Sequence, residues 1–524
     1  ALDAVDDGTG NPICRAVRDG VAPGFDGDPR LVEGCVPINL FGTQAIPAQA
    51  HDYSWGRLVE NSRVEQDMVE LVSSGEFFQG YGTGPWRAAV GLSWRDESLE
   101  NVADTVQPDY IRNDYNSQFG ETFGGGVAVR EQFVELEVPL THRLDLQFAA
   151  RRSFYENTAG VGTSVEGREF RYDINTWKVN GSWAVSNWLT LRASRSRDMR
   201  APNFRELYYS KVFSRGGNFG YCGNPWTGNR FEGWYTFTGD PCRAELYGSI
   251  DLKPERSDTT TLGFVLNPFG GDLRLAADWY VINIEDAIAP GSWFSTIEQC
   301  HLQRDPASCS LIEGQLLDPD DPLGGFARLD VVSSKSQNQR SYESKGVDIA
   351  VDWARAFRIG TVSTRLLASH TIAQLVQPTP ASPELMDISG ASGTSNSGAD
   401  WEPAPRWSAQ WFTSFARGPV GVTVQARYVS SGVKSASYVG PGQTGFAPSV
   451  ENSIDDNHVP SYLEWGLNAS YDFGLRSGRL QVFANIQNLF DRDPPLIGTG
   501  IGGTNPVLFD TVGRRYQVGV RTRF

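Results

Sequence analysis

Several absences narrow what this 524-residue chain can be. No run of eighteen or more apolar residues exists, so no helix can cross a membrane. Only 3 Met and 5 His are present, with no CxxC, HExxH, GxSxG elbow or Walker sequence. The hydrolase, zinc and nucleotide signatures are therefore missing. A metal centre is not expected, no cofactor is called for and an enzyme is disfavoured. GTGIGG (498–503) matches GxGxxG formally. It follows DRDPPLI in a loop and leads into TNPVLF, so it lacks the strand before and the helix after that a dinucleotide site needs. A surplus of positive charge is also lacking. The net charge is −16, which argues against nucleic acid as a partner. Much of the acid sits in loop-like stretches such as Asp318, Asp320 and Asp321. These read as a solvated surface, since DPDDP has the ligand spacing of no calcium loop.

What is abundant favours strands and turns: 12% aromatic residues and 56 Gly, at a mean hydropathy of −0.35. In 513–524 (GRRYQVGVRTRF), Tyr516, Val518, Val520, Thr522 and Phe524 fall on one side of a strand. Arg515, Gln517, Gly519, Arg521 and Arg523 fall on the other. The same alternation recurs at Leu144–Ala150, Trp177–Trp183, Leu273–Val281 and Val422–Tyr428. Residues 57–75 alternate roughly and read as a strand, with a helix as the competitor. Residues 1–56 show turn-formers and little alternation and read as a long loop. About fifteen strands of membrane-crossing length result, joined alternately by short turns and long loops. A soluble sandwich would not alternate its loop lengths in this way. The fold expected is all-β: an antiparallel transmembrane β-barrel over 57–524, with 1–56 as an extracellular loop region. No signal peptide is seen at Ala1.

Six cysteines fall into local pairs: Cys14 with Cys35, Cys222 with Cys242, and Cys300 with Cys309. Six allow fifteen connectivities, and free thiols in a reducing compartment are the alternative. Disulfides closing loops in an oxidising compartment fit better, each worth about 2–4 kcal/mol of loop order.

Six segments, in order, resemble the TonB-dependent outer-membrane receptors. They are SRSRDMRAPNFRELY (194–208), LKPERSDTTTLGF (252–264), ADWYVINIEDAI (277–288), YESKGVDIAVDW (342–353), FANIQNLFDRDPP (483–495) and the closing strand. The opening CRAVRDG…GCVPINLFG (14–42) resembles a cysteine-bearing external loop of large members. The resemblance implies a Gram-negative outer-membrane protein built on a 22-stranded barrel with an N-terminal plug. It implies outer-membrane lipid, the TonB complex, the barrel assembly machinery and a small-molecule nutrient as partners. This stretch matches roughly the last fifteen strands, so about seven strands and the plug are expected to lie outside it. The expected function is energised uptake of a scarce nutrient. Cysteine-bearing loops in relatives of this kind lean it towards an oligosaccharide over a ferric siderophore. A passive porin-like channel and a surface-binding barrel are the competitors.

Within that frame Arg200, Pro202, Asn203 and Glu206 mark a strand leaving the wall, with Pro202 stopping the ladder and Arg200 pairing locally with Glu206. Contact with a plug or ligand is the alternative. NIQNLFD ends a strand, with Asn485 and Gln487 facing the lumen. Trp226, Trp234, Tyr235, Trp293 and Trp401 are candidate ligand-stacking aromatics in the long loops; packing within the loops or an outer girdle is the other reading. Tyr516, Val518, Val520 and Phe524 resemble the signal read by the barrel assembly machinery.

Overall fold

A computed structural model describes residues 4–20, 32, 34–38, 46–54, 59–80, 83–103, 122–163, 166–213, 243–268, 271–289, 291, 296–297, 299–301, 304–316, 318–377, 385–393, 404–448, 453–475, 478–497 and 503–523. One continuous antiparallel wall dominates it. The strands are β1 (Glu60–Gln79), β2 (Pro85–Ala103), β3 (Phe123–Thr141), β4 (Leu144–Ala159), β5 (Glu169–Ala184), β6 (Leu189–Arg200), β7 (Glu255–Leu266) and β8 (Leu273–Ala289). They continue as β9 (Gln337–Phe357), β10 (Gly360–Val376), β11 (Trp407–Arg417), β12 (Val420–Val429), β13 (Tyr462–Leu475), β14 (Gly478–Gln487) and β15 (Arg515–Arg523). Each pairs with its neighbours in sequence order; the two-residue strand Met386–Asp387 pairs with β10 off this path. Among the described residues β1 and β15 pair on one side only. The connections at one end are 80–84, 142–143, 185–188, 267–272, 358–359, 418–419 and 476–477. Those at the other end include 201–254, 290–336, 377–406, 430–461 and 488–514. The alternation expected from the sequence is present.

The strands are longer than the periodicity indicates, reaching 21 residues in β9. About 9–11 suffice to cross the hydrocarbon. β4 shows the reason: its outward residues run Leu144, Leu146, Phe148, Ala150 and are then interrupted by charge at Arg152 and Glu156, on either side of Phe154. The pattern marks only the lipid-facing portion, whereas the ladder continues beyond it. Residues 60–79 form a strand, not a helix, paired along its whole length with β2. The opening residues carry more structure than a plain loop: a hairpin of Ala4–Asp6 with Pro12–Cys14, and short helices at Arg15–Asp19 and Ala48–Ser54.

Because the apolar face of the wall points outward, the buried apolar clusters gather at the long-connection end instead. Phe123, Ala159, Leu207 and Tyr208 form one; Val429, Val459, Tyr462, Ile497, Leu508 and Phe509 form another. The inward face is polar and uses glycine to let large groups lie flat. The Phe133 ring covers Gly91 directly across the ladder, and Phe483 covers Gly519. Gly263 is opposite both Arg192 and Asp278. Arg192 Nε donates to Asp278 Oδ1 at 2.6 Å across it, so the ion pair bridges two strands over the bare backbone. A Cβ at 263 would run into the Asp278 carboxylate. Gly263→Val should therefore break this bridge and cost about 1–3 kcal/mol. Urea unfolding followed by loss of the compact electrophoretic form checks this, and an unchanged midpoint would show that the glycine is incidental.

Candidate functional site

The segment where β6 leaves the wall is organised around one guanidinium. Arg200, the last residue of β6, donates to both oxygens of Glu206 at 2.9 Å and to those of Glu255 at 2.7 and 2.8 Å. Glu255 Oε1 also accepts from the Ile288 amide at 2.7 Å. Between them lies a short helix, α1 (Phe204–Tyr208), which forms because Asn203 and Glu206 make a reciprocal capping box. Pro202 is buried and supplies no amide to extend the ladder. Arg200 thus ties α1 to β6, β7 and β8. The helix in turn sets the Tyr208 ring against Gly125 of β3, where a side chain would collide with it. All four residues singled out in this motif converge, and the local pairing expected of Arg200 and Glu206 is present. Glu255 and Tyr208 were not anticipated. The run of three glycines, Gly124–Gly126, was the available signal for Tyr208.

Beyond that exit the chain builds a small second sheet at the long-connection end, ordered Ile312–Leu316, Phe326–Lys335, Arg243–Tyr247, Ser210–Phe213, in which the middle two strands run parallel. Ile297, Cys300, Cys309, Ile312, Phe326, Leu329 and Val332 fill its core. Cys300 and Cys309 are disulfide-bonded there, and Cys14 is bonded to Cys35. Asp305 caps the turn before Cys309; the Ser308 hydroxyl and amide hold its carboxyl below the usual range. In DPDDP, Asp321 pairs with Arg304 at 2.7 Å, and that guanidinium lowers its pKa. Its charge is thus already neutralised from within the chain.

On the other side three long connections interlock. Ser392 N donates to Val433 O at 2.8 Å, Gly393 N to Lys434 O at 3.0 Å, Lys434 N to Asn457 O at 2.8 Å, and Asn505 Nδ2 to Ser392 O at 3.0 Å. Asn485 and Gln487 lie on the inward face, opposite Gln517 and Arg515. The turn itself is made by Asn488, with φ 48°, which accepts from Arg492 N at 2.8 Å and donates to Arg492 O at 2.9 Å. Asn adopts this left-handed conformation more readily than most residues. Tyr516, Val518 and Val520 are exposed on the outward face, at 68%, 76% and 63%. Trp226, Trp234, Tyr235, Trp293, Trp401, Cys222, Cys242 and Phe524 lie outside the described residues.

Removing the guanidinium would leave Glu206 and Glu255, both partly buried, facing each other uncompensated. Arg200→Ala should cost about 1–3 kcal/mol locally, discounted for the partial exposure of Arg200. Hydrogen exchange at 204–213 should quicken while β11–β14 stay protected. Arg200→Lys should recover only part, since lysine cannot grip two carboxylates in a fork. Unchanged exchange at 204–213 would mean that the clamp does not hold the helix.

The chain as a whole is similar to known proteins. The family model described as TonB dependent receptor-like, beta-barrel matches residues 36–489. No curated protein sequence matches. Among solved structures, the ferric enterobactin receptor PfeA of Pseudomonas aeruginosa, in complex with enterobactin, is 14% identical with a TM-score of 0.55. The siderophore receptor PirA of Acinetobacter baumannii is 14% identical with a TM-score of 0.53. Each match covers 88% of this chain and 55% of the other. The copper transporter OprC is 14% identical with a TM-score of 0.50, covering 88% and 57%. This chain therefore spans a little over half the length of the structures it resembles. At such identities the likeness is one of fold, but the family match covers most of the sequence: the chain belongs to the TonB-dependent receptor β-barrel family.

Proposed function

We propose that this chain forms the barrel wall and external mouth of a Gram-negative outer-membrane receptor that takes up a scarce small-molecule nutrient with energy delivered by TonB. The observation that carries the reading is the family match over a wall whose inward face is polar and whose long connections all stand at one end. In this arrangement 1–56 belongs to the external layer. TonB couples through the plug that barrels of this family enclose, the barrel assembly machinery inserts the wall, and lipid meets its outward face. Tyr516, Val518, Val520 and Phe524 act as the assembly signal.

The finer substrate reading rests on composition. Trp226, Trp234 and Tyr235 lie between Cys222 and Cys242, hung from the paired strands Ser210–Phe213 and Arg243–Tyr247. Trp293 and Trp401 belong to two further long connections. Aromatic faces stack on sugar rings and on planar metal chelates alike. The lean towards oligosaccharides rests on the cysteine-bearing loops alone. The matched structures give it no support, being named for siderophores and copper.

A strain lacking the full-length protein should lose uptake of its substrate, and a protonophore should abolish uptake in the wild type. Uptake that survives the protonophore would instead favour a passive channel. Titrating the purified full-length protein with ferric chelates and with oligosaccharides decides the substrate; silence from every sugar removes the oligosaccharide reading. Non-reducing peptide mapping should recover Cys222 linked to Cys242. Alkylation of either thiol without reductant would refute that pair.

A further inference from the structure

The inward face of β12–β15 carries a belt of amide side chains set between two charged zones. Thr423 is opposite Asn468, Asn468 is opposite Asn485, and Asn485 is opposite Gln517, so one row crosses all four strands. Neighbouring strands lie about 4.8 Å apart, which makes the three amides of that row contiguous over roughly 10 Å. One step towards the long connections, Gln425 is opposite Gly466 and Gln487 is opposite Arg515. One step towards the short turns, Ser470 is opposite Phe483, and Phe483 is opposite Gly519. Gln425 lies across the bare backbone of Gly466 as the Phe483 ring lies across Gly519; a Cβ at either glycine would strike the side chain above it.

Two properties set this belt apart from the rest of the inward face. Its central row holds no charge: Arg427 and Glu464 face each other above it, and Arg479 and Arg523 below it. Its amides are also unused. Gln425, Asn468, Asn485, Gln487 and Gln517 make no side-chain hydrogen bond among the described residues, although Asn468 and Asn485 are half-buried. Elsewhere on this face the small polar groups bond to their neighbours. Ser194 bonds to Thr261, Ser369 donates to Asp348 and Ser153 donates to Glu131, each at 2.6 Å.

We propose that this belt is a binding station for a neutral oligosaccharide, inside the wall and apart from the long connections. The inference rests on the uptake reading and gives its oligosaccharide branch a second site. Each amide offers two N–H donors and a carbonyl acceptor, which suits hydroxyls that donate and accept in turn. An anionic chelate would find no cation within the row and would be drawn instead to the guanidinium groups of Arg479 and Arg523. An apolar solute would strip water from five amides without replacing its hydrogen bonds. A sugar chain meets both demands: its hydroxyls pair with the amides, and the C–H face of a ring packs on Phe483. Neutral contacts of this kind are individually weak, so a solute that enters the station can also leave it.

The test is calorimetric titration of the full-length protein in detergent, with maltohexaose, cellohexaose and xylohexaose as probes. The wild type should bind at least one of them. The double variant Asn468→Leu/Asn485→Leu should bind that probe about tenfold more weakly or worse, whereas Asn485→Gln, which keeps the amide, should retain most of the affinity. Gln517→Leu, at an exposed position, should weaken binding severalfold and serves if the double variant does not fold. Arg479→Gln, outside the belt, should bind as the wild type does. Silence from all three hexasaccharides, affinity unchanged in the leucine variants, or an equal loss in Arg479→Gln would each overturn the proposal. Binding is read without uptake, so the two readings fail separately. Hexasaccharide binding that the leucine variants leave intact would refute only this station. Binding at the belt without energised uptake would refute only the transport reading.

Discussion

Inside a bilayer a backbone amide or carbonyl has no water to turn to, and each one left unpaired costs several kcal/mol. A chain with no apolar run long enough for a helix can meet that demand only by laddering strand against strand. Here β1 to β15 do so in sequence order, each hairpin feeding the next. Side chains then point alternately outward and inward, which forces the alternation seen in β4, β8 and β15. The same constraint removes the usual hydrophobic core from the wall, because its apolar face points outward. The buried clusters have to form where the connections fold over one another.

That displacement shapes the external layer. Connections as long as 201–254 and 290–336 would be costly to order without cores of their own. They acquire them through a small sheet with a disulfide, through the Arg200 clamp on α1, and through the backbone knit of Ser392, Val433 and Asn505. The clamp is instructive because its parts come from four elements: β6 supplies Arg200, α1 Glu206, β7 Glu255, and β8 the amide of Ile288. A single guanidinium with a forked geometry can satisfy two carboxylates at once. The chain thus turns from wall to loop without leaving a buried charge exposed to its like. Glycine plays the complementary part inside the barrel, where Gly91, Gly263 and Gly519 give up side chains so that Phe133, the Arg192–Asp278 bridge and Phe483 can lie across the ladder.

Much of this was legible in the residues alone, and for a definite reason. A strand has a period of two, so lipid-facing Val518 and Val520 against inward Gln517 and Arg521 is a local pattern that needs no partner to be recognised. Helix competition over 57–75 was settled only by the partner, since a strand is stabilised by its neighbour and β2 lies outside that window. Strand length was likewise hidden: above Ala150 charged and polar residues (Arg152, Glu156, Thr158) break into the outward face of β4 around Phe154, the alternation fades, and only the ladder shows that the strand continues to Ala159. In the RAPNFREL segment the Arg200–Glu206 pair could be anticipated from spacing. Glu255 and Tyr208 could not, because their contacts join positions far apart in the chain.

By itself, then, the sequence determined the wall: its class, its approximate strand count and which residues face outward; it offered the local pairs Cys14 with Cys35 and Cys300 with Cys309 as one connectivity among fifteen, and the structure shows both bonds. These follow from short-range periodicity and proximity along the chain. Tertiary structure alone decided which glycines make room and for what. It also placed the parallel strands Arg243–Tyr247 and Phe326–Lys335 side by side, and joined the three long connections through Ser392, which bonds to Val433 on one side and Asn505 on the other. Each of these depends on register between strands far apart in the chain, and register is set by the pairing along the whole ladder, not by any one stretch of it.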